Sequence, residues 1–269
     1  MTTPFQNFNL DLANIAGILS LISTGTDTLP EIAGDLGMGA RKVRDIFEWC
    51  YHLGLLVEKS RNSPQCLTNI GQRLAAQESW TNQLPVLDIL YASLARKHRI
   101  IGRVVNEFAY AASFRILPRF SMQEYDDFLI SLVPDVNAKT DVILDRGSKF
   151  LNALARPSGL GKLDMFSLAK DRSYVEVRPR TLSWQSAAYI LYDSWPENTS
   201  RMRTSEVING QNHLGRIFFL TEPQVMALLV KLEQERVIAL EVVADLNQIG
   251  LNPSMKAEDF LEMLIHDQD

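Results

Sequence analysis

Arg41, Lys42 and Arg44 crowd into four positions of one short segment. Such a cluster suits a polyanion. Arginine can address guanine with two hydrogen bonds, and lysine neutralises phosphates. Between them Val43 begins an apolar series that continues at Ile46, Phe47 and Cys50. That series makes one face of a helix, and the three cations fall on the other face at its start. The first residues of a recognition helix are those that reach the major groove. Lys59 and Arg61 stand in a polar tip between two short apolar runs, where phosphate or minor-groove contact is natural. Arg96, Lys97, Arg99 and Arg103 form a second basic group. In one continuous helix, 96, 99 and 103 share a face. Lys170, Arg172, Arg178 and Arg180 form a third.

Other residue types offer weaker chemistry. Asp164 followed by Glu176-Val177-Arg178 imitates the Asp…Glu-x-Lys pattern of metal-dependent nucleases, in which two strand-borne carboxylates hold magnesium. Here arginine stands in for lysine, and arginine is a poor base because it does not release its proton. Gly159-Leu160-Gly161-Lys162 imitates a phosphate loop but lacks its first glycine and its Ser/Thr. Ser167 and Lys170 have the spacing of a Ser/Lys pair without a partner motif. His52, His98, His213 and His266 are scattered, and Cys50 and Cys66 make no ligand spacing. No catalytic residue, metal or cofactor is read from the chain. Both cysteines are expected near the core as small hydrophobes, and Trp49, Trp80, Trp184 and Trp195 as core or contact residues.

The elements that would carry these groups can be read from periodicity. A helix is expected from Leu10 to Ile22. A second begins at Thr28-Leu29-Pro30-Glu31, which has the form of a capping box with proline in the first turn. A third spans Ala40 to His52, closed by Leu53-Gly54. Short strands at 55–58 and 65–68 flank the basic tip, and another helix starts at Asn69. The order is that of a winged helix. Residues 84–117 read as one long helical region, interrupted at most at Gly102 and ended by Pro118. Ser121-Met122-Gln123-Glu124 is a further capping box. A helix over 137–155 leads into strands at 163–168 and 174–177, and 183–192 is helical. Val237–Val243 is β-branched enough for a strand, and Met255–Ile265 is the last helix. The expected fold is therefore mainly α with small β-hairpins, in tandem winged-helix-like modules. The units are an N-terminal winged helix (1–80), a helical region with a second such module (81–199) and an acidic helix–strand–helix module (200–269).

The chain has 269 residues, a net charge of −5 and 46% hydrophobic residues. That composition excludes wholesale disorder. The charge is uneven. Residues 1–120 carry 12 Lys and Arg against 10 Asp and Glu, whereas 211–269 carry 4 against 10. A basic face toward a polyanion and an acidic one toward a partner fit this asymmetry. There is no apolar run of membrane-spanning length and no secretory signal at the start, so a cytoplasmic location is expected.

Several short strings, in order, carry a resemblance. They are Leu36-Gly37-Met38-Gly39, Val43-Arg44-Asp45-Ile46 with Trp49, Gly54-Leu55-Leu56, and Leu67-Thr68-Asn69-Ile70-Gly71. Phe120-Ser121-Met122 with Tyr125, Gly215-Arg216-Ile217-Phe218-Phe219-Leu220 and Asp245-Leu246-Asn247-Gln248-Ile249 follow. Together they resemble a bacterial winged-helix family of unknown function (domain family four-thousand-and-seven). The middle and C-terminal parts are also similar in style to protein A of phage-exclusion systems. The resemblance implies a gene beside DNA phosphorothioation and phage-defence genes, and it transfers no catalytic residue. The favoured expectation is a non-enzymatic, DNA-associated accessory factor, with double-stranded DNA and other defence-system proteins as partners. A protein–protein adaptor without DNA contact and a metal-dependent nuclease at Asp164 and Glu176 are the alternatives.

Overall fold

The structure is a computed structural model that describes residues 9–57, 63–132, 140–243 and 246–266. It is mainly helical, with two three-stranded antiparallel sheets. Helix α1 (Leu12–Ser23) starts at Asp11, whose carboxylate accepts from the N–H groups of Ala13 and Asn14. It buries Leu12, Ile15, Ile18, Leu19 and Ile22, the i, i+3, i+4 stripe of a core-facing helix. Helix α2 (Leu29–Asp35) has Pro30 in its first turn. The capping box expected at Thr28 is incomplete: its hydroxyl donates to Glu31 Oε2 at 2.6 Å and takes no helix N–H. Helix α3 (Ala40–His52) has the expected bounds.

Gly54, at φ +77°, reverses the chain after α3. Any side chain there would be strained and would meet Ser93 and Lys97. Leu56 and Leu67 then form an antiparallel bridge, with Val57 N–H donating to Cys66 at 2.9 Å. Thr68 caps α4 (Asn69–Ala75) through the Gly71 N–H. A Cβ on Gly71 would collide with the Leu55 carbonyl, so this close approach of backbones needs glycine. The base of the hairpin is also tied back to the α1–α2 connection, because Gln65 N–H donates to Asp27 at 2.9 Å. Cys50 is buried as expected, but Cys66 is exposed; it lies on a bridge strand too short to be covered on both faces.

Helix α5 (Leu84–Lys97) is the central element, buried without interruption from Val86 to Ala95. The chain does not continue as one long helix. His98 adopts extended backbone (φ −87°, ψ 106°), and α6 (Arg99–Arg103) begins anew. The His98 Nδ1 accepts from Ile101 N–H at 3.2 Å and so caps the new helix. A π-helical stretch (Val104–Ala109) and α7 (Tyr110–Ser113) follow, and a turn from Phe114 leads to β1 (Arg119–Ser121). The Ser121–Glu124 capping box forms as expected at α8 (Met122–Ser131). Helix α9 (Thr140–Ala155) leads to a 3-10 turn at Leu160–Leu163, where a strand was expected to begin. Strands β2 (Phe166–Leu168) and β3 (Tyr174–Val177) make the second hairpin, and β1 adds to β3 with Phe120 opposite Val175.

After α10 (Trp184–Asp193) come β4 (Met202–Arg203), α11 (Thr204–Asn209), α12 (Leu214–Ile217) and α13 (Glu222–Gln234). Strands β5 (Ile238–Val243) and β6 (Leu246–Leu251) pair, β4 joins β6, and α14 (Ala257–His266) packs on α10. One hydrophobic cluster runs from Leu10 to Leu264. Trp49 and Trp80 are buried in it, and Trp184 and Trp195 pack against it. Among the described residues, no helix is long and apolar enough to cross a membrane.

Candidate nucleic-acid interface

Helix α3 is held by its inner face. Val43, Ile46, Phe47, Trp49 and Cys50 are buried, and the Trp49 ring stacks on His98 at 6.0 Å and meets Phe150 edge-on at 6.4 Å. This anchoring turns Arg41 and Arg44 outward, where they are exposed, with Lys42 half-buried. No ion pair among the described residues engages any of the three. The N-cap residue is Gly39, which offers no side-chain acceptor, and the first turn holds no acid. The positive pole of the helix dipole thus meets two cations and no compensating carboxylate. Each such cation disfavours the isolated helix by about 0.3–1 kcal/mol. An anion drawn to this turn would gain from both the dipole and the side chains. Lys59 and Arg61 lie outside the described residues; the bridge below them is in place.

The second basic group divides. The break at His98 puts Arg96 on α5 and Arg99 and Arg103 on α6, so the single face expected for 96, 99 and 103 does not exist. Arg96 is nearly buried, with Nη1 on Asp193 at 3.1 Å and Nε donating to Ala92 at 3.2 Å. Arg103 grips Glu107 with two bonds of 2.8 and 2.7 Å. Lys97 and Arg99 remain exposed. A cleft of about 380 Å³ lies beside Arg96, lined also by Lys97, Ser194, Asn212 and His213. Arg96 Nη2 and His213 Nδ1 are buried without a hydrogen-bond partner among the described residues.

The third group divides as well. Arg178 spans the two carboxylates of the nuclease pattern, with Nη1 on Asp164 at 2.6 Å and Nη2 on Glu176 at 3.0 Å. Its guanidinium occupies the position a cation between them would need. Among the described residues no group of three or more His, Cys, Asp and Glu could hold a metal ion. Arg180 is bound to Asp88 on α5, whose side chain is 1% exposed. Burial pushes the Asp88 carboxyl up to about 6 despite that partner. Lys162 of the imitation phosphate loop donates to the Thr81 carbonyl and Asn82, at 2.9 and 2.6 Å. Lys170 and Arg172 stay exposed at the hairpin tip. Two of the scattered histidines do meet, with the His52 and His98 rings 4.5 Å apart. Burial, then the charge of His52, pushes His98 down to about 3, so it is a neutral capping acceptor.

Sequence reading missed Phe114, Ile116 and Leu117, absorbing them into a long helix. They form an exposed apolar turn around Arg115, ahead of Arg119. Pro118 marked an end to the helical region, but α7 stops earlier, at Ser113, and no local breaker announces that stop.

No family model and no curated protein matches the chain. Two solved structures do. A magnesium ion-bound crystal structure of SspB superposes with a TM-score of 0.69 at 17% identity, covering 92% of this chain and 83% of that one. A second SspB crystal structure gives 0.66 at 15% identity, over 98% and 89%. The acid pair gripped by Arg178 does not fit a magnesium site. Across nearly its whole length, the chain has the fold of SspB.

Proposed function

We propose that this chain is a non-enzymatic, DNA-associated accessory factor of a bacterial phage-defence or DNA-modification system. In this reading α1–α4 and the intervening hairpin act as a winged helix. The start of α3 enters the major groove, and the hairpin tip with Lys59 and Arg61 contacts phosphates. The observation that carries the reading is the start of α3: Arg41, Lys42 and Arg44, two exposed arginines and a half-buried lysine without an ion pair among the described residues, at the positive end of a helix anchored from behind. The defence context rests on the order of the short family-like strings, in a chain that no family model matches. The acidic last third is the face offered to a protein partner.

With a net charge of −5, binding must come from this local patch rather than from overall attraction. The test is fluorescence anisotropy of a labelled duplex across salt concentrations from about 50 to 300 mM. Affinity for the wild type falls steeply with salt. In the Arg41→Ala/Lys42→Ala/Arg44→Ala variant the slope drops by about 2–3, and low-salt affinity falls by about two orders of magnitude. Equal affinity and slope in the two proteins, or no binding at low salt, overturns the reading and leaves the protein adaptor.

A further inference from the structure

The turn after α7 presents large apolar side chains to solvent, and no element among the described residues covers them. Ile116 is fully exposed, Leu117 is 58% exposed and Phe114 is 52% exposed. The turn is braced rather than loose. The Phe114 ring stands edge-on against Tyr110 at 4.9 Å. Arg115 Nη1 donates to the Arg119 carbonyl at 3.1 Å and pairs with Glu124 at 2.9 Å. The Arg119 guanidinium sits over the Tyr174 ring at 4.8 Å. An open groove of about 770 Å³ runs beside the turn, between it and Ser173 and Tyr174 of the β2–β3 hairpin. The exposed Lys170 and Arg172 stand at the tip of that hairpin.

We propose that Ile116 and Leu117 are an apolar wedge that enters a base step of duplex DNA from the minor groove, with Arg119 and the hairpin tip on the flanking phosphates. Minor-groove proteins kink DNA with Ile, Leu or Phe side chains of this kind set among cations. The chemistry of the surroundings selects this occupant. Among the described residues Glu124 is the one acid lining the groove, and it is already paired with Arg115; Asp171 at the hairpin tip is held by the Ser173 N–H and hydroxyl. A peptide strand cannot add to β1. The Arg119 N–H bonds the Leu117 carbonyl at 2.7 Å, the Arg119 carbonyl takes Arg115, and the Ser121 N–H takes Glu124 at 2.7 Å. One short projecting turn is also far smaller than the ~800 Å² per partner of a stable protein interface, yet it is of the size that separates two base pairs.

This inference rests on the DNA reading above, and the test separates the two. A duplex carrying 2-aminopurine at successive positions is titrated with wild type and with Ile116→Ser/Leu117→Ser, following anisotropy and 2-aminopurine fluorescence together. The wild type raises the fluorescence about two-fold at one step as it unstacks. The serine variant, changed only at exposed positions, keeps its thermal midpoint and its anisotropy salt slope but loses that rise. Wild-type binding with unchanged fluorescence at every position overturns the wedge and leaves the DNA reading standing. No anisotropy change overturns both. A dimer in sedimentation that the serine substitutions dissolve overturns the wedge in favour of a contact between two copies.

Discussion

The start of α3 and the α5–α6 junction carry similar clusters of basic residues and use them differently. At α3 the cations make no ion pair among the described residues, and both arginines are exposed on a helix fixed from within. At the junction Lys97 and Arg99 stay exposed, but Arg96 and Arg103 are bound to Asp193 and Glu107, and further back on α5 buried Asp88 binds Arg180. A positive charge already neutralised by a fixed carboxylate releases little on meeting a phosphate. A free one adds its whole charge to the interface. Local charge density therefore does not identify a binding face; the fraction of it left unpaired does.

The contrast can be broken most forcefully at Arg180. Arg180→Ala leaves Asp88 buried without its partner, and equilibrium urea unfolding is expected to show a loss of about 3–5 kcal/mol. The double variant with Asp88→Asn recovers part of that loss, since both charges are then gone. A loss under about 1 kcal/mol would show that the pair is incidental. Arg96→Ala comes next, at about 2 kcal/mol, because its buried stem is lost while Asp193, 43% exposed, can rehydrate.

Acid titration sharpens the same comparison. The His98 pKa falls from 6.5 to about 3 on folding. Between those values the unfolded chain binds the extra proton, so acidification removes stability. Asp88 rises from 3.8 to about 6. Between those values the folded chain binds the extra proton, so acidification adds stability. The two oppose each other from about pH 6 to 4. Relative to wild type, His98→Gln gains stability on acidification through this window and Asp88→Asn loses it. Unfolding curves at several pH values check both signs. The smallest effect is expected at α3 itself: Arg41→Ala/Lys42→Ala/Arg44→Ala changes stability by about 1 kcal/mol, toward gain, since two cations leave the positive pole.

Helix α3 was readable to the residue because its signal is local: an amphipathic period closed by Leu53-Gly54. The two capping patterns show the limit of that signal. Ser121–Glu124 closed as a box, while Thr28 bonded its own Glu31 side chain instead. The break at His98 was not readable, since histidine is no helix breaker and its extended backbone is set by a cap and by packing against Trp49 and Phe150. Strands β1 and β4 were missed for another reason. They hold three and two residues, and their partners lie far along the chain, Arg119 opposite Glu176 and Met202 opposite Ile249. Ion pairs such as Arg180 with Asp88 likewise join residues whose meeting no spacing announces.

The central claim, that the first turn of α3 faces the duplex, is tested most directly by photocrosslinking at neighbouring positions that leave its cations intact. A benzophenone side chain replaces the exposed Ala40 in one protein, and Lys231 on the outer face of α13 in another. Irradiation with labelled duplex is expected to give a covalent complex from position 40 and none from position 231. Binding by anisotropy with no adduct at position 40, or with equal adducts at both, would contradict the account.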